Sequence, residues 1–390
     1  MQQLEFKLAN GSALVKRLRR VPLFKWIPRD VAHQSALVIA ITWAPLLIFT
    51  AINGVAASDK VRIPFLADLV QYARFLVAVP CVIGLGEYIN PRLEKALNNF
   101  LKSRIISDQD VATFADAVSR AQALASSTNV ELAILAVVYS YSSLGLQREI
   151  ATGLSSWNRP HVGGFIGDSV AGWWFLWVSM PLFLFGWFLW LWRLGLWSYL
   201  LYRISRLNLR LIATHPDRTG GLTFLHVAMR RFCVLVFGIS SILSASIGEE
   251  ILFNGARLRS FELELVLLFG VCVAVILGPL VVFTPVLIRA KLDYWGKFGP
   301  VATTYVQEFD GRWISRTDYP RESILGTPDI QSLADLGHSF GMIGEMRTVL
   351  VNKTTLALFA LAYVVPVLPL LTSVISVRQL LSEIYTHLLK

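Results

Sequence analysis

Four stretches of the chain, Ser35 to Ala57, Ser169 to Trp192, Leu265 to Ile288 and Thr354 to Val377, contain no Asp, Glu, Lys or Arg. Each exceeds the roughly 20 residues that carry a helix across the hydrocarbon of a bilayer. A helix on a soluble core shows charge on its solvated side; these stretches do not, so they predict membrane spans. Three further segments are apolar but mixed. Phe65 to Ile89 holds Asp68, Arg74 and Glu87, and Ala121 to Gln147 holds one charge, Glu131. Phe232 to Gly248 is uncharged, follows Arg230 and Arg231, and runs into Glu249 and Glu250. The seven segments together predict an all-α polytopic membrane helix bundle with amphipathic helices between its spans.

The segments divide the chain as follows. A basic N-terminal segment, 1–34, precedes spans one and two in 35–89. Residues 90–120 read as two short amphipathic helices, the second opened by the cap-like run "SDQD". Spans three and four occupy 121–192, a helical extension and loop 193–231, spans five and six 232–288, and a helical insert 289–353. The seventh span and a tail make up 354–390. In the insert, Thr327 and Pro328 look like the cap and first position of a helix whose Ile330, Leu333 and Leu336 face the bundle.

Charge sets the orientation. Seven spans with the N-terminus inside assign 27 of the 36 lysines and arginines to inner segments and 8 to outer ones, with Arg74 inside a span. Without a third crossing the split becomes 18 to 17, which is no bias. The expected topology is therefore N-terminus cytoplasmic and C-terminus external, in a bacterial inner (plasma) membrane. The net charge of +10 then faces anionic inner-leaflet lipids, and nucleic acid is not needed to explain it. The first span is too long for the core of a secretory signal and is expected to stay uncleaved.

Seven of the twelve tryptophans fall between Trp173 and Trp197. Trp173, Trp174 and Trp177 suit an outer interfacial belt, and Trp190, Trp192 and Trp197 an inner one. Beyond Arg193 the helical pattern continues to about Ile212, which puts Arg203, Arg206 and Arg210 on one face, toward lipid phosphates or an acidic partner. Pro216 then stops that helix.

The run His215-Pro216-Asp217-Arg218-Thr219-Gly220-Gly221-Leu222 follows. Asp217 can accept backbone N–H bonds, Thr219 can cap a helix starting near Gly221, and the glycines allow a tight turn. Beside Arg218, His215, Gly220 and Gly221 the same turn could instead hold a phosphate or a partner. "HPDRTGGL" resembles the inner loop of uncharacterised bacterial multi-pass inner-membrane proteins with an H-P-D-x-x-G-G-L motif, a resemblance that implies no activity. Tyr202 to Phe232 also resembles the helix–His-Pro-Asp–helix core of J-domain co-chaperones. In that family the preceding helix is soluble, whereas a tryptophan-rich span stands there in this chain, so the match is fortuitous.

Charges within spans are the remaining chemistry. Asp68, Gln71 and Arg74 recur every third residue. Arg74, roughly 12 Å deep, and Glu131, about 10 Å deep from the opposite face, are expected to meet across adjacent helices as an ion pair. The same residues, with Glu87, would line a water-filled path along spans two and three. Glu249, Glu250, Glu262 and Glu264 form an acidic outer loop, a possible cation-collecting mouth. Pro279, Pro285, Pro366 and Pro369 should kink or open the last two spans. Cys81, Cys233 and Cys272 have no metal-site spacing, and no catalytic or nucleotide motif is present, so neither enzyme activity, metal nor cofactor is expected. Two function classes remain: an ion or small-solute channel or transporter, and a non-transporting platform or sensor that docks a partner. The expected partners are the bilayer, its anionic inner-leaflet lipids, a second copy of the chain and a cytoplasmic protein.

Overall fold

The computed structural model describes residues 6–8, 12–19, 30–58, 61–152, 157, 161–162, 165–166, 169–315 and 328–371. The fold is an all-α bundle, with one two-residue antiparallel pair, β1 (His161–Val162) and β2 (Phe165–Ile166). Among the described residues, six helical stretches are long and apolar enough to cross a membrane. A bent pair, Asp108–Ala125 with Thr128–Ser142 at 47°, makes up to seven when the pair is counted as one broken span. The chain is thus a multi-pass membrane helical protein.

After the short α1 (Ala13–Leu18), the first span is α2 (Val31–Thr42) and α3 (Ala44–Ile52), broken at Trp43 because Pro45 starts a new helix. The second is α4 (Leu69–Tyr72), a π-helical stretch Ala73–Ala78, and α5 (Val79–Lys102). Then come α6 (Val111–Ala125) and α7 (Thr128–Thr152). The fourth span is α8 (Val170–Trp174), a second π-helical stretch Phe175–Ser179, and α9 (Met180–Ser205). α10 (Thr223–Met229) leads into α11 (Cys233–Asn254). α12 (Glu262–Leu277), a 3-10 stretch Gly278–Phe283 and α13 (Thr284–Phe309) run on as one long rod, opened as expected at Pro279. α14 (Asp329–Glu345) folds back on α13, and α15 (Lys353–Leu371) is the last span. Thr327 and the end of the seventh predicted span, 372–377, lie outside the described residues.

The predicted third span is corrected at its start. The helix bends at Ser126–Ser127, where the Ser126 hydroxyl turns back to the Gln122 carbonyl, so Ala121–Ala125 belong to α6. α7 then runs the length of the bundle. Glu131 in its first turn meets α1, and Trp157, just past its end, meets Asp68 at the head of α4. The bundle therefore has a basic face, which gathers α1, α6, α10, α14 and the 206–222 loop, and an opposite face that carries Asp68 and Glu249. The first amphipathic helix expected in 90–120 is the far half of α5, unbroken to Lys102.

Close approach is managed with small residues, as membrane helices require when lipid offers no hydrophobic drive to association. Ser240, Ser244 and Gly248 form one stripe of α11 against α15, and Ser244 donates to the Pro366 carbonyl at 2.6 Å. At Gly186 a Cβ would sit 2.8 Å from Val82, so α9 and α5 touch there only through glycine. One turn on, the Trp190 indole donates to the Val82 carbonyl at 2.7 Å. That corrects the inner belt: Trp190 and Trp197 are fully buried, and Trp197 donates to the Met229 sulfur. Trp173 and Trp177 stack on each other and are exposed, as an outer belt requires. On α14, Leu333 and Leu336 are half-buried, but Ile330 stays 47 % exposed rather than facing the bundle.

Candidate functional site

α9 ends at Ser205, well short of Ile212. From Leu207 the chain is extended, and Leu207, Leu209, Leu211 and Ala213 are more buried than Asn208, Arg210 and Ile212 between them. This is the two-residue period of a strand, visible in "LNLRLIA" and obscured by the long helical run before it. Backbone bonds complete the strand-like register: Ile106 bridges Leu209, Arg210 N–H donates to the Ile105 carbonyl at 2.7 Å, and Ser107 N–H to Asn208. The run "SDQD" opens α6 as expected, with Asp110 at the N-cap position and its carboxylate accepting the Asn208 N–H at 2.9 Å. The arginines therefore do not form one helical stripe. Arg203 lies on Tyr199 and Arg206 on Tyr202, each donating to its tyrosine hydroxyl at 3.1 Å, while Arg210 reaches Asp108 at 3.5 Å.

The extended strand leaves a cleft of about 1010 Å³ between itself and the first turns of α13. Arg206 and Arg210 stand on one wall and Arg289 on the other. Below them the wall is apolar, with Val282, Pro285 and Val286. The one carboxylate in the lining, Asp293, is held by Lys297 at 2.6 Å. Arg289 is exposed and has no hydrogen bond or ion pair among the described residues. The cleft thus presents guanidinium groups with spare hydrogen-bond donors above an apolar wall. No group of His, Cys, Asp or Glu capable of holding a metal occurs among the described residues.

Next to this cleft, the HPDRTGGL turn is a closed structural junction. The Asp217 carboxylate accepts the N–H groups of Thr219 (2.8 Å), Gly221 (3.1 Å) and Thr223 (3.2 Å), and the Thr219 hydroxyl at 2.8 Å. Burial opposes its charge, yet these donors outweigh that and hold its carboxyl down at about 2. The donors that could hold a phosphate are thus occupied by the chain's own carboxylate, and Asp217, not Thr219, caps α10. Pro216 stops no helix, since α9 ended at Ser205, eleven positions before. Arg218 adopts a left-handed φ of 56°, which aims its carbonyl at Arg347 N–H (2.7 Å) and its guanidinium at Glu345 (3.1 Å). Gly220, at φ +64°, has Met346 and Leu211 within 3.2 Å of where a Cβ would stand, so the turn needs glycine there. His215 Nδ1 lies 2.8 Å from Asp217 Oδ1. The junction ties the start of α10 to the end of α14.

The charges expected inside the spans do not line one path. Glu131, 1 % exposed, accepts the Ser12 hydroxyl (2.6 Å) and the N–H groups of Ala13 (2.8 Å) and Leu14 (2.7 Å), so it caps α1. It makes no pair with Arg74; the nearby buried cation is Arg193, which lies over the Trp190 ring. Arg193 is the first charge after residues 169–192, the uncharged block of the fourth span, and that position was the available signal for it. Arg74 donates to Gln71 at 3.0 Å and lies over the rings of Phe175 and Phe183. Asp68 accepts from Gln71 N–H, from the Gln71 side chain and from the Trp157 indole at 2.8 Å. Glu249, expected at an outer mouth, turns inward beside Asp68 and accepts Val70 N–H at 2.9 Å. Glu250, Glu262 and Glu264 stay exposed, and so does Glu87. The result is a knot of Asp68, Gln71, Arg74, Trp157 and Glu249 on the opposite face.

No protein-family model matches the chain, and neither a curated protein nor a solved structure is detectably similar to it.

Proposed function

We propose that the chain is a non-transporting, non-enzymatic membrane platform of a bacterial plasma membrane, with its basic face in the cytoplasm and that face docking an anionic ligand. The 27 to 8 division of lysine and arginine supports the orientation. The open cleft of Arg206, Arg210 and Arg289 carries the reading, because it is a cavity whose positive charge exceeds its negative charge. The Asp217–Arg218 junction beside it links the cleft to the start of α10 and the end of α14, on the approach to α15.

The test is reconstitution in liposomes. Release of K+, Na+ and a small neutral tracer should equal that of protein-free vesicles, and a cysteine at position 218 (Arg218→Cys) should be labelled only from the cytoplasmic side. A second reading, permeation, is favoured by one observation. The two π-helical stretches meet around Arg74, since Phe175 begins one and Arg74 lies within the other, and such turns recur at functional sites. Flux present in the wild type and lost in Arg74→Leu would favour that reading over the platform.

A further inference from the structure

We infer that the basic cleft is a binding site for an anionic phospholipid, with the phosphodiester among Arg206, Arg210 and Arg289 and the glycerol and upper acyl region against Val282, Pro285 and Val286. The inference rests on reading this face as an anion-docking face and names its ligand.

The lining is layered in the order a phospholipid requires. Val282, Pro285 and Val286 belong to the last turns of the uncharged block that ends at Ile288, and Arg289 is the first charge after it. The apolar wall therefore lies at the depth of acyl chains and the guanidinium groups at the depth of phosphates. From the other wall, Arg206 and Arg210 reach the same level, and the partly exposed Tyr202 beside them is of the residue type that settles at the headgroup layer. A free inorganic anion would use only the upper part of a space of about 1010 Å³, whereas a headgroup with its glycerol uses both layers.

Charge selects the anionic class. Three arginines stand against two carboxylates, Asp293 held by Lys297 and Asp108 on Arg210 at 3.5 Å, which leaves Arg206 and Arg289 without countercharge among the described residues. Arg289 has no protein partner among the described residues, and Arg206 is bonded only to a neutral phenol, so both keep donors for phosphate oxygens. A zwitterionic headgroup would bring its own cation into a positive site and be disfavoured.

The experiment uses the full chain purified in a neutral detergent, titrated separately with dihexanoyl-phosphatidylglycerol, dihexanoyl-phosphatidylcholine and glycerol 3-phosphate, with tryptophan fluorescence or calorimetry as the readout. Phosphatidylglycerol should bind about tenfold or more tighter than either of the others. Arg206→Gln and Arg289→Gln should each weaken it roughly fivefold, and the double variant about 25-fold, while Arg203→Gln, outside the cleft, changes nothing. Arg289→Lys, which keeps the charge, should retain most of the affinity and guards against a variant that merely misfolds. Equal binding of the two lipids overturns the proposal, as does unchanged affinity in a folded double variant. Glycerol 3-phosphate binding as tightly as the lipid overturns it in favour of a soluble phosphate ligand. None of these outcomes depends on flux, so failure here is distinct from failure of the platform reading.

Discussion

The bundle carries arginine and carboxylate at both of its ends, and the two ends use them in opposite ways. On the opposite face, Asp68, Gln71, Arg74, Trp157 and Glu249 are drawn inward, and the Asp68 carboxylate is met by three donors. On the basic face, Arg206, Arg210 and Arg289 stand around an open cleft with little countercharge. A charge inside a low-dielectric bundle is too costly to keep unmatched, and in the knot the charged groups are drawn against polar and aromatic partners. At the boundary, water and headgroups can complete what the protein leaves open. The same residue types are therefore structural in one place and available in the other.

That contrast can be broken by measurement. The largest effect belongs to Glu131→Ala, which leaves the N-terminus of α1 and its Ser12 hydroxyl unmatched beside buried Arg193; about 4 kcal/mol of stability should be lost, read by thermal or denaturant unfolding in detergent. Asp68→Ala should cost about 3 kcal/mol by stranding Gln71, Trp157 and a helix start, with Asp68→Asn losing less. If either is neutral, buried charge is not what holds its own end of the bundle together. Smaller still is an acid effect at the junction. The Asp217 carboxyl is held at about 2, below its ordinary 3.8, so its stabilisation is whole above pH 3.8 and lost as pH falls toward 2. Relative to wild type, Asp217→Asn should be less stable at pH 6 and flatter between pH 4 and 2; parallel profiles would remove Asp217 as the junction's anchor. Least of all, Arg289→Gln should change stability by under about 0.5 kcal/mol, because its side chain is exposed and unbonded. A loss comparable to Glu131→Ala would erase the distinction between buried, matched charges and those left at the boundary.

Much of this was legible along the chain and some was not. Uncharged blocks announced the spans because the need to avoid bare charge in lipid acts on every residue of a segment. The junction was half-legible: Asp217 as an N–H acceptor and the need for glycine follow from local chemistry, but Glu345, Met346 and Arg347, which complete it, are more than a hundred residues away. The strand-like "LNLRLIA" was misread because the long helical run before it masked a short alternation. Trp190 and Trp197 were misassigned to a belt because depth along a span says nothing about which side of the helix meets lipid and which meets protein.

The amino-acid order alone therefore determined what depends on local averages: an all-α membrane bundle and a basic surplus between its spans. Only the tertiary structure decided which charges meet. Glu131 turned to α1 rather than Arg74, Glu249 turned in to α4, and Arg289 came to face Arg206 across a cleft. Transfer into lipid is a sum over residues of one segment and can be read from that segment. Pairing depends on the rotation and offset of helices distant in sequence, and those are set by packing of side chains that no single segment contains.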